Sequence, residues 1–500
     1  MIRHLLMVTL LILTSTSLIN SQSYTITGEA KVGRGERIRG IINYSQGEYI
    51  MNISTVILNE NQKNTPIYLK MKNNTVAERN RIQVPFEHAY NYKTFSVNNK
   101  IYKFIYVKNK ENRSLERKLI ELDTDGKTLN AKDIDDFKIE EREDFPFQRL
   151  EISPDSNYIL TVDIVDDNNK KKDFFLRYTI FDRKTNVIHS NDYIPSGDKS
   201  QQLTHCFSTS INNDGQAFIL LKKYESWDEF KKIKKKPVSN FEFKLLSIDL
   251  SGNLKEYRID NEGEFTYPKV FNFEDGTPVV VGEIHHNHRN DATTTGTIVM
   301  SLDESTDQFK TTKRFFTEKE KDNLKLGYKN KKENKFIRIY DQYLAIGDKL
   351  TFAMTSSWHK EDKFYEESAF IHTIDRSGAE VDFMAIPRYY KSRHGSSPII
   401  LSLQNDKPSV LYVDFKKNLK KPIDTYKNYK RNRIGDKVLV YAYKDQDNSI
   451  VRKKVDLGEH DNKVLYLANN YKVDENRIAF PIEVKGKLFQ SKVGILTIKL

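Results

Sequence analysis

Lysine, arginine, histidine and tryptophan residues that could bind an anionic ligand are concentrated in a few polar segments of the chain. Ammonium and guanidinium groups pair with carboxylate, sulfate or phosphate groups, and aromatic residues add contact area at binding surfaces. The pattern favours an acidic glycan, a lipid phosphate, a nucleic acid or an acidic protein as ligand, and solvated polar loops are the alternative. The candidate residues are Trp227, Lys231, Lys232, Lys234, Lys235, Lys236, His286, His288, Arg289, Trp358, His359, Lys427, Lys430, Arg431 and Arg433.

A histidine cluster in one of these segments raises the question of a metal site. His285, His286 and His288 lie within four residues, and clustered imidazoles can bind zinc or copper. Adjacent residues at a strand end point to opposite sides, however, and no nearby carboxylate or cysteine completes a ligand set. The sequence therefore predicts neither a metal nor a cofactor.

The elements that must position these residues recur along the chain. Short apolar runs rich in β-formers are separated by Asp, Asn, Ser and Gly turns, and the clearest copy covers residues 147–195. A period of about 50 residues with four strands is typical of a β-propeller blade. Seven such units begin near residues 93, 147, 205, 267, 336, 398 and 463.

We therefore predict an all-β fold, a single β-propeller over residues 93–500, preceded by an irregular β-rich segment at 24–92. Seven blades fit best, and six or eight also fit, because residues 33–92 could form an extra blade, a small β-cap or an insertion. In a propeller, the connections from second to third strands share one face with the connections between blades. The polar segments fall on this face, at 108–117, 166–173, 222–240, 283–295, 356–368 and 416–436.

The first residues have the pattern of an export signal. Arg3 precedes an apolar core at 5–13 that is too short to span a bilayer, which predicts a signal peptide at 1–23, cleaved near Ser21 or Ser23. No cysteine at the cut predicts that the protein is not a lipoprotein, and no later segment has the length of a membrane helix. We expect a secreted, periplasmic or cell-surface protein, which argues against nucleic acid as partner.

Residues 24–31 alternate in polarity, and we expect them to pair with 493–499 and close the ring.

Composition limits the remaining choices. Aromatic residues make up 11% of the chain, which excludes a disordered protein, and the net charge of +12 favours acidic partners. Cys206 is the only cysteine, so no internal disulfide can form, and we interpret it as a small residue within a strand.

Motifs of known enzymes are missing from the sequence. Neither Gly-x-Ser-x-Gly nor His-Glu-x-x-His occurs, and Ser153 to Asn157 departs from the sialidase Asp-box at its glycine and lacks the tryptophan. Asp163 and Glu283 are strand-borne acids without a recurring pattern. The sequence favours a non-enzymatic binding or scaffold protein with a protein, acidic glycan or envelope component as partner. The alternative is a glycan-active hydrolase or lyase with two carboxylates at the channel.

Three phrases of the sequence resemble a known kind of protein. Residues 153–160 (SPDSNYIL), 250–259 (LSGNLKEYRI) and 376–386 (RSGAEVDFMAI) look like secreted propeller proteins of Bacteroidota, and the first is similar to TolB-like and WD40-like blade hairpins. The resemblance covers residues 93–500 and implies a cell-envelope or extracellular location and a binding role. It implies no catalytic residue and assigns no characterised family.

Overall fold

A computed structural model describes the following residues: 24–32, 36–45, 48–55, 67–72, 75–81, 85–86, 89–109, 111–138, 146–165, 175–195, 204–224, 241–259, 265–285, 294–303, 305–320, 336–360, 363–392, 399–404, 407–421, 437–457, 464–467, 471–474, 477–485 and 491–499. Side chains are described only within 85–457. The expected signal peptide lies outside the described residues.

The described strands form eight antiparallel sheets, which we number as blades 1 to 8 in chain order. Blade 1 contains β2–β5 (Glu36–Ser45, Glu48–Thr55, Ile67–Lys72, Thr75–Arg81). Blade 2 contains β6–β9 (Ala89–Val97, Lys100–Asn109, Ser114–Leu122, Thr128–Lys138). Blade 3 contains β10–β13 (Phe147–Ile152, Tyr158–Val165, Phe175–Asp182, Val187–Tyr193). Blade 4 contains β14–β17 (Thr204–Ile211, Ala217–Tyr224, Phe241–Ile248, Leu254–Ile259).

Blades 5 to 7 follow the same plan, whereas blade 8 has a fifth strand. Blade 5 contains β18–β21 (Phe265–Asn272, Pro278–His285, Thr294–Asp303, Gln308–Phe315). Blade 6 contains β22–β25 (Phe336–Ile346, Lys349–Lys360, Lys363–Asp375, Glu380–Ser392). Blade 7 contains β26–β29 (Ile400–Gln404, Lys407–Phe415, Lys437–Lys444, Ile450–Lys454) and a helical turn, Lys416–Leu419. Blade 8 contains β30–β33 (Val464–Leu467, Tyr471–Asp474, Arg477–Lys485, Ser491–Lys499) and β1 (Tyr24–Val32). Its two short strands both pair with β32, and β1 lies at the edge.

The apolar core lies between adjacent sheets. In blade 3, Ile159 packs towards Phe104 of blade 2, whereas Leu160 and Val162 pack towards Ile219 of blade 4. Because side chains alternate across a strand, a sheet buried on both faces needs a nearly continuous apolar run. This explains the composition of the second strands, and the same packing joins blades 4 to 5, 5 to 6 and 6 to 7.

Tight turns connect the first strand to the second and the third to the fourth. Asp249 illustrates the local chemistry, because its carboxylate accepts a hydrogen bond from the backbone N–H of Asn253 at 2.8 Å. Gly252 then adopts a φ of +84°, which glycine reaches without steric cost. A Cβ at Gly252 would lie 2.2 Å from the His189 ring of blade 3, so this glycine also permits the two blades to approach.

The N-terminal strand completes the last blade. β1 pairs antiparallel with β33, with Tyr24 opposite Ile498 and Lys31 opposite Lys492, which confirms the pairing expected from the sequence. β1 also contacts β5, and β2 contacts β32, so blade 8 meets blade 1. The protein is a β-propeller whose ring closes through strands from both ends of the described chain.

The sheet count differs from the favoured seven and equals one of the two alternatives. Strands β2–β5, within the segment 33–92, form a four-stranded meander in the same order as the other blades. This region is therefore an extra blade, and not a cap or an insertion. Its connections, Gln46-Gly47 and Asn73-Asn74, lack the Asp-x-x-Gly phrase of later units such as Asp249–Gly252, which is why the repeat was not visible there.

The closing strand provides a test of the ring. Deleting residues 24–32 removes the β1–β33 pairing and leaves β33 as an open edge, which exposes unpaired backbone groups. We expect a lower midpoint of thermal unfolding by circular dichroism and aggregation by light scattering. A chain lacking only residues 1–23 is the control, and equal behaviour of the two chains would contradict the closure.

Buried Lys103 makes stability depend on pH. Its side chain is 1% exposed, it shares a strand face with Ile101 and Ile105, and its Nζ donates to Thr94 Oγ1 at 3.4 Å. Burial lowers the pKa of Lys103 to about 7. Because the unfolded lysine has a pKa near 10.5, its contribution to stability falls as pH drops from there to about 7, by about 1.4 kcal/mol per pH unit.

Replacing this lysine should remove that dependence. We expect Lys103→Met to raise the free energy of unfolding at pH 7 and to flatten its change between pH 7 and pH 9, measured by urea denaturation. Lys100→Met is the control, because Lys100 is half-exposed and bonded to Glu121. An unchanged pH profile in Lys103→Met would show that the lysine is solvated in the folded state.

Candidate functional site

The two faces of the ring differ in how the strands are joined. Inner turns of neighbouring blades bond to one another: Asn213 Oδ1 of blade 4 accepts from the N–H of Asp155 in blade 3 at 3.0 Å, and Asn212 Nδ2 donates to Gly276 O of blade 5 at 3.3 Å. These turns therefore share one face, which we call the turn face. Because seven of the eight sheets have the same strand order, their second-to-third connections leave from the opposite face, which we call the loop face.

Most of the predicted ligand-binding residues lie outside the described residues. Their segments join described strands at the loop face: 225–240 links β15 to β16, 286–293 links β19 to β20, and 422–436 links β27 to β28. The residues concerned are Trp227, Lys231, Lys232, Lys234, Lys235, Lys236, His286, His288, Arg289, Lys427, Lys430, Arg431 and Arg433.

The two remaining candidates do not lie in a loop. Residues 356–368 were expected to be a loop, but β23 continues to Lys360 and β24 begins at Lys363. Trp358 pairs with Tyr365, and His359 pairs with Phe364. The charged residues of this segment conceal the alternation of polar and apolar residues that would identify a strand. Pairing with β25 stabilises the two strands nonetheless. The predicted loop at 108–117 is likewise shorter, because β7 reaches Asn109 and β8 starts at Ser114.

A buried ion pair lies at the base of this long hairpin. Arg388 Nη2 of β25 donates to Glu366 Oε2 of β24 at 2.7 Å, and both side chains are at most 1% exposed. The same nitrogen donates to Thr355 Oγ1 of β23 at 3.2 Å. One guanidinium thus ties together the three strands that extend towards the loop face, and the pair fixes the geometry of the hairpin.

A second buried charged network joins blades 2 and 3. Arg117 Nη1 donates to Asp163 Oδ2, with both side chains fully buried, and Arg117 Nε donates to Asp135 Oδ1 at 2.9 Å. Tyr106 Oη also donates to Asp163, and Gln148 Nε2 donates to the same carboxylate at 3.1 Å. Burial raises the pKa of the Asp163 carboxyl well above its usual range. These groups bond across the blade interface and hold the sheets in register.

Similar bonding fixes the start of a basic connection in blade 7. Asp414, at the end of β27, accepts a hydrogen bond from Asn418 Nδ2 at 2.8 Å within the helical turn. Arg452 of β29 donates to the backbone oxygen of Lys421, where the described chain stops before 422–436. The segment that contains Lys427 and Arg431 therefore leaves from an anchored position.

The turn face contains a cleft that the sequence did not indicate. It has a volume of about 300 Å³ and lies between blades 4 and 5. Lys255 forms an ion pair with Asp307 and lies 4.8 Å from the centre of the Tyr257 ring. The lining residues are Asn212, Asp214, Gln216, Phe218, Lys255, Tyr257, Asp275, Gly276, Thr277, Pro278, Leu302 and Asp307. Two blades contribute through three turns and strand β17, so only the alignment of the repeats could have indicated it.

Few other features of the described residues indicate a function. No group of three or more His, Cys, Asp or Glu residues within them could hold a metal ion. No helix in this part of the chain has the length and apolar character needed to cross a membrane. Burial raises the pKa of the Cys206 thiol to about 11, as expected of a cysteine packed within a strand. Asp163 and Glu283, the two strand-borne acids, are both completely buried.

Comparison with known proteins does not assign the chain to a family. No protein-family model matches the chain, and no curated protein matches it. The chain is similar to the polysaccharide lyase Uly1, with 11% identity over 95% of this chain and 99% of that one, at a TM-score of 0.39. It is also similar to the β-propeller domain of the Trilobed protease from Pyrococcus furiosus, with 13% identity over 85% and 97%, at a TM-score of 0.38.

A third solved structure has a lower overlap. The chain is similar to the Synechocystis apocarotenoid oxygenase, with 11% identity over 68% of this chain and 72% of that one, at a TM-score of 0.33. The assignment as a β-propeller therefore follows from the strand order and the closed ring described above.

The Arg388–Glu366 pair yields a prediction about stability. Arg388→Met leaves the Glu366 carboxylate buried without its partner, and we expect it to lower the free energy of unfolding by about 3–5 kcal/mol. The double variant Arg388→Met/Glu366→Leu should recover most of this loss, measured by urea denaturation. Lys244→Met is the control, because its pair with Glu256 is partly exposed, at 22% and 40%, and should change stability by under about 1 kcal/mol. Equal losses in the single and double variants would contradict a buried charge penalty.

Proposed function

We propose that the protein is a non-enzymatic binding or scaffolding propeller whose loop face holds an acidic ligand or protein partner. The observation that supports this most strongly is the asymmetry of the ring. Segments 225–240 and 422–436, which contain five and four lysine or arginine residues, both leave from the loop face. Positive groups gathered on one face attract anionic partners and accelerate their association.

The construction of the opposite face supports the same proposal. Turn-face groups are used to join blades: Arg376 of blade 6 pairs with Asp275 of blade 5, and Thr312 Oγ1 of blade 5 donates to Ser377 O of blade 6 at 3.3 Å. Long connections between rigid strands are where propellers and other scaffolds present binding residues. The role that we propose places the protein outside the cytoplasm, in agreement with the export signal expected at 1–23.

Charge reversal at the loop face tests this function. Two variants replace Lys231, Lys232, Lys234, Lys235 and Lys236, or Lys427, Lys430, Arg431 and Arg433, by glutamate. We expect each to reduce affinity for dextran sulfate at least tenfold at 0.15 M salt, because each removes several ion pairs with the polyanion. Binding is measured by isothermal titration, and folding by thermal unfolding.

A matched variant separates the loop face from the total charge of the protein. Replacing Lys127, Lys184, Lys310 and Lys349 by glutamate makes the same change in net charge as the four-residue variant, but at exposed positions of the turn-face turns and the adjoining strand ends. We expect it to retain most of the affinity. A loss as large as that of the loop-face variants would show that binding follows net charge alone and would overturn the proposal.

A further inference from the structure

The strands of blade 6 extend further towards the loop face than those of the neighbouring blades 5 and 7. Its second and third strands have 12 and 13 residues, whereas those of blade 5 have 8 and 10 and those of blade 7 have 9 and 8. These three to five additional residues, at about 3.3 Å each, lengthen the hairpin by roughly 10–17 Å. The fourth strand, also of 13 residues, follows the hairpin and pairs with it as far as Ser392. We call residues 356–360, 363–367 and 389–392 the blade 6 platform.

The register of the platform brings aromatic and basic residues to one of its faces. Trp358 is opposite Tyr365, and Tyr365 is opposite Lys391. Residues directly opposite on adjacent strands lie on the same face of a sheet, as do residues two apart along a strand. The same face therefore includes Tyr389, which pairs with Glu367, and the hairpin pair Lys360 and Lys363.

The other face of the platform contains the buried ion pair between Arg388 and Glu366. Glu366 belongs to that face, and its side chain is buried in the ion pair with Arg388. A site built on paired strands is held more precisely than one built on loops. The residues of the platform are held by a backbone ladder on both sides of β24.

We propose that the blade 6 platform binds an acidic polysaccharide, with the aromatic residues against the sugar rings and Lys360, Lys363 and Lys391 beside their carboxylate or sulfate groups. The three strands span about 10 Å, which gives an extended polymer a flat surface. Lysine is depleted in protein–protein interfaces, so three lysines beside three aromatic residues, with Glu367 as the acidic residue of this face, favour a polyanion over a folded protein. The expected export of the chain favours polysaccharide over nucleic acid. This inference rests on the proposed function and assigns a ligand class to the loop face.

Tryptophan fluorescence can report on the platform directly. The chain has two tryptophans, so in a Trp227→Phe variant Trp358 is the only one. Titrating this variant with polygalacturonate or dextran sulfate should change its emission in a saturable way, whereas neutral dextran should not. Polygalacturonate carries carboxylates and dextran sulfate carries sulfates, so the two arms show which anion is preferred. Saturable binding of either polyanion without any change of emission would overturn the inference.

Variants of the two faces provide the second arm, with affinities measured by isothermal titration on the full chain. We expect Trp358→Ala and Tyr365→Ala each to weaken binding of the preferred polysaccharide at least tenfold. Replacing Lys360, Lys363 and Lys391 by glutamine should weaken binding and reduce its salt dependence. Phe364→Ala is the matched control on the other face, and it should keep the affinity. Tighter binding of a single-stranded oligonucleotide than of either polysaccharide would overturn the ligand class.

The outcomes separate this inference from the proposed function. If Trp358→Ala keeps full affinity while charge reversal at 231–236 or 427–433 removes it, the platform fails and the loop-face function stands. If the platform variants lose binding and the charge reversals do not, the platform stands and the basic connections are solvated. If neither set changes the affinity, both proposals fail. Thermal unfolding of every variant excludes loss of fold as the cause.

Discussion

Burial of both faces of each sheet is the constraint on which the structure depends. Leu160 and Ile159 are adjacent in β11, yet they pack into two different blade interfaces. A sheet that is apolar on both faces requires a neighbour on each side, so no blade is stable alone and the row of sheets must close. The β1–β33 pairing completes the last sheet, and the packing of blade 8 against blade 1 removes the two ends of the row.

Burial on both faces of a sheet also means that polar residues within the interfaces need bonding partners. A charge on an inner strand is buried whether or not it has a partner, and an isolated buried charge is costly. Arg117 and Arg388 each have a carboxylate and hydroxyl groups within bonding distance, and these bonds lock strands to one another. Lys103 donates to a hydroxyl, and burial lowers its pKa to about 7.

Function follows from the different freedom of the two faces. Turn-face residues are constrained by contacts between blades, as Gly252 against His189 illustrates. Second-to-third connections have no such restriction on length, so binding residues can accumulate there without disturbing the ring. Two kinds of surface result, namely basic connections such as 225–240 and the strand-built platform of blade 6. In the function that we propose, the first supplies charge, and the second supplies a fixed arrangement of aromatic and basic residues.

The sequence alone determined what depends on short-range order. Asp-x-x-Gly turns such as Asp249–Gly252, the apolar second strands and the alternating strand at 24–31 led to the propeller and to its closing pair. These features are set by backbone geometry and by the two-residue period of a strand, both of which are readable within about ten residues. Blade 1 was not recognised as a blade by the same reasoning, because the connections between its strands lack the Asp-x-x-Gly phrase.

Only the tertiary structure decided which distant residues meet. Arg117 and Asp163 are 46 positions apart, and their contact depends on how one sheet lies on the next. Trp358 was expected in a loop and is instead opposite Tyr365, because pairing to β25 stabilises strands whose charged residues conceal their alternation. The cleft between blades 4 and 5 likewise needs turns from both sheets. The physical reason is that contacts between sheets are selected by the closure of the whole ring, and no local stretch of sequence contains that information.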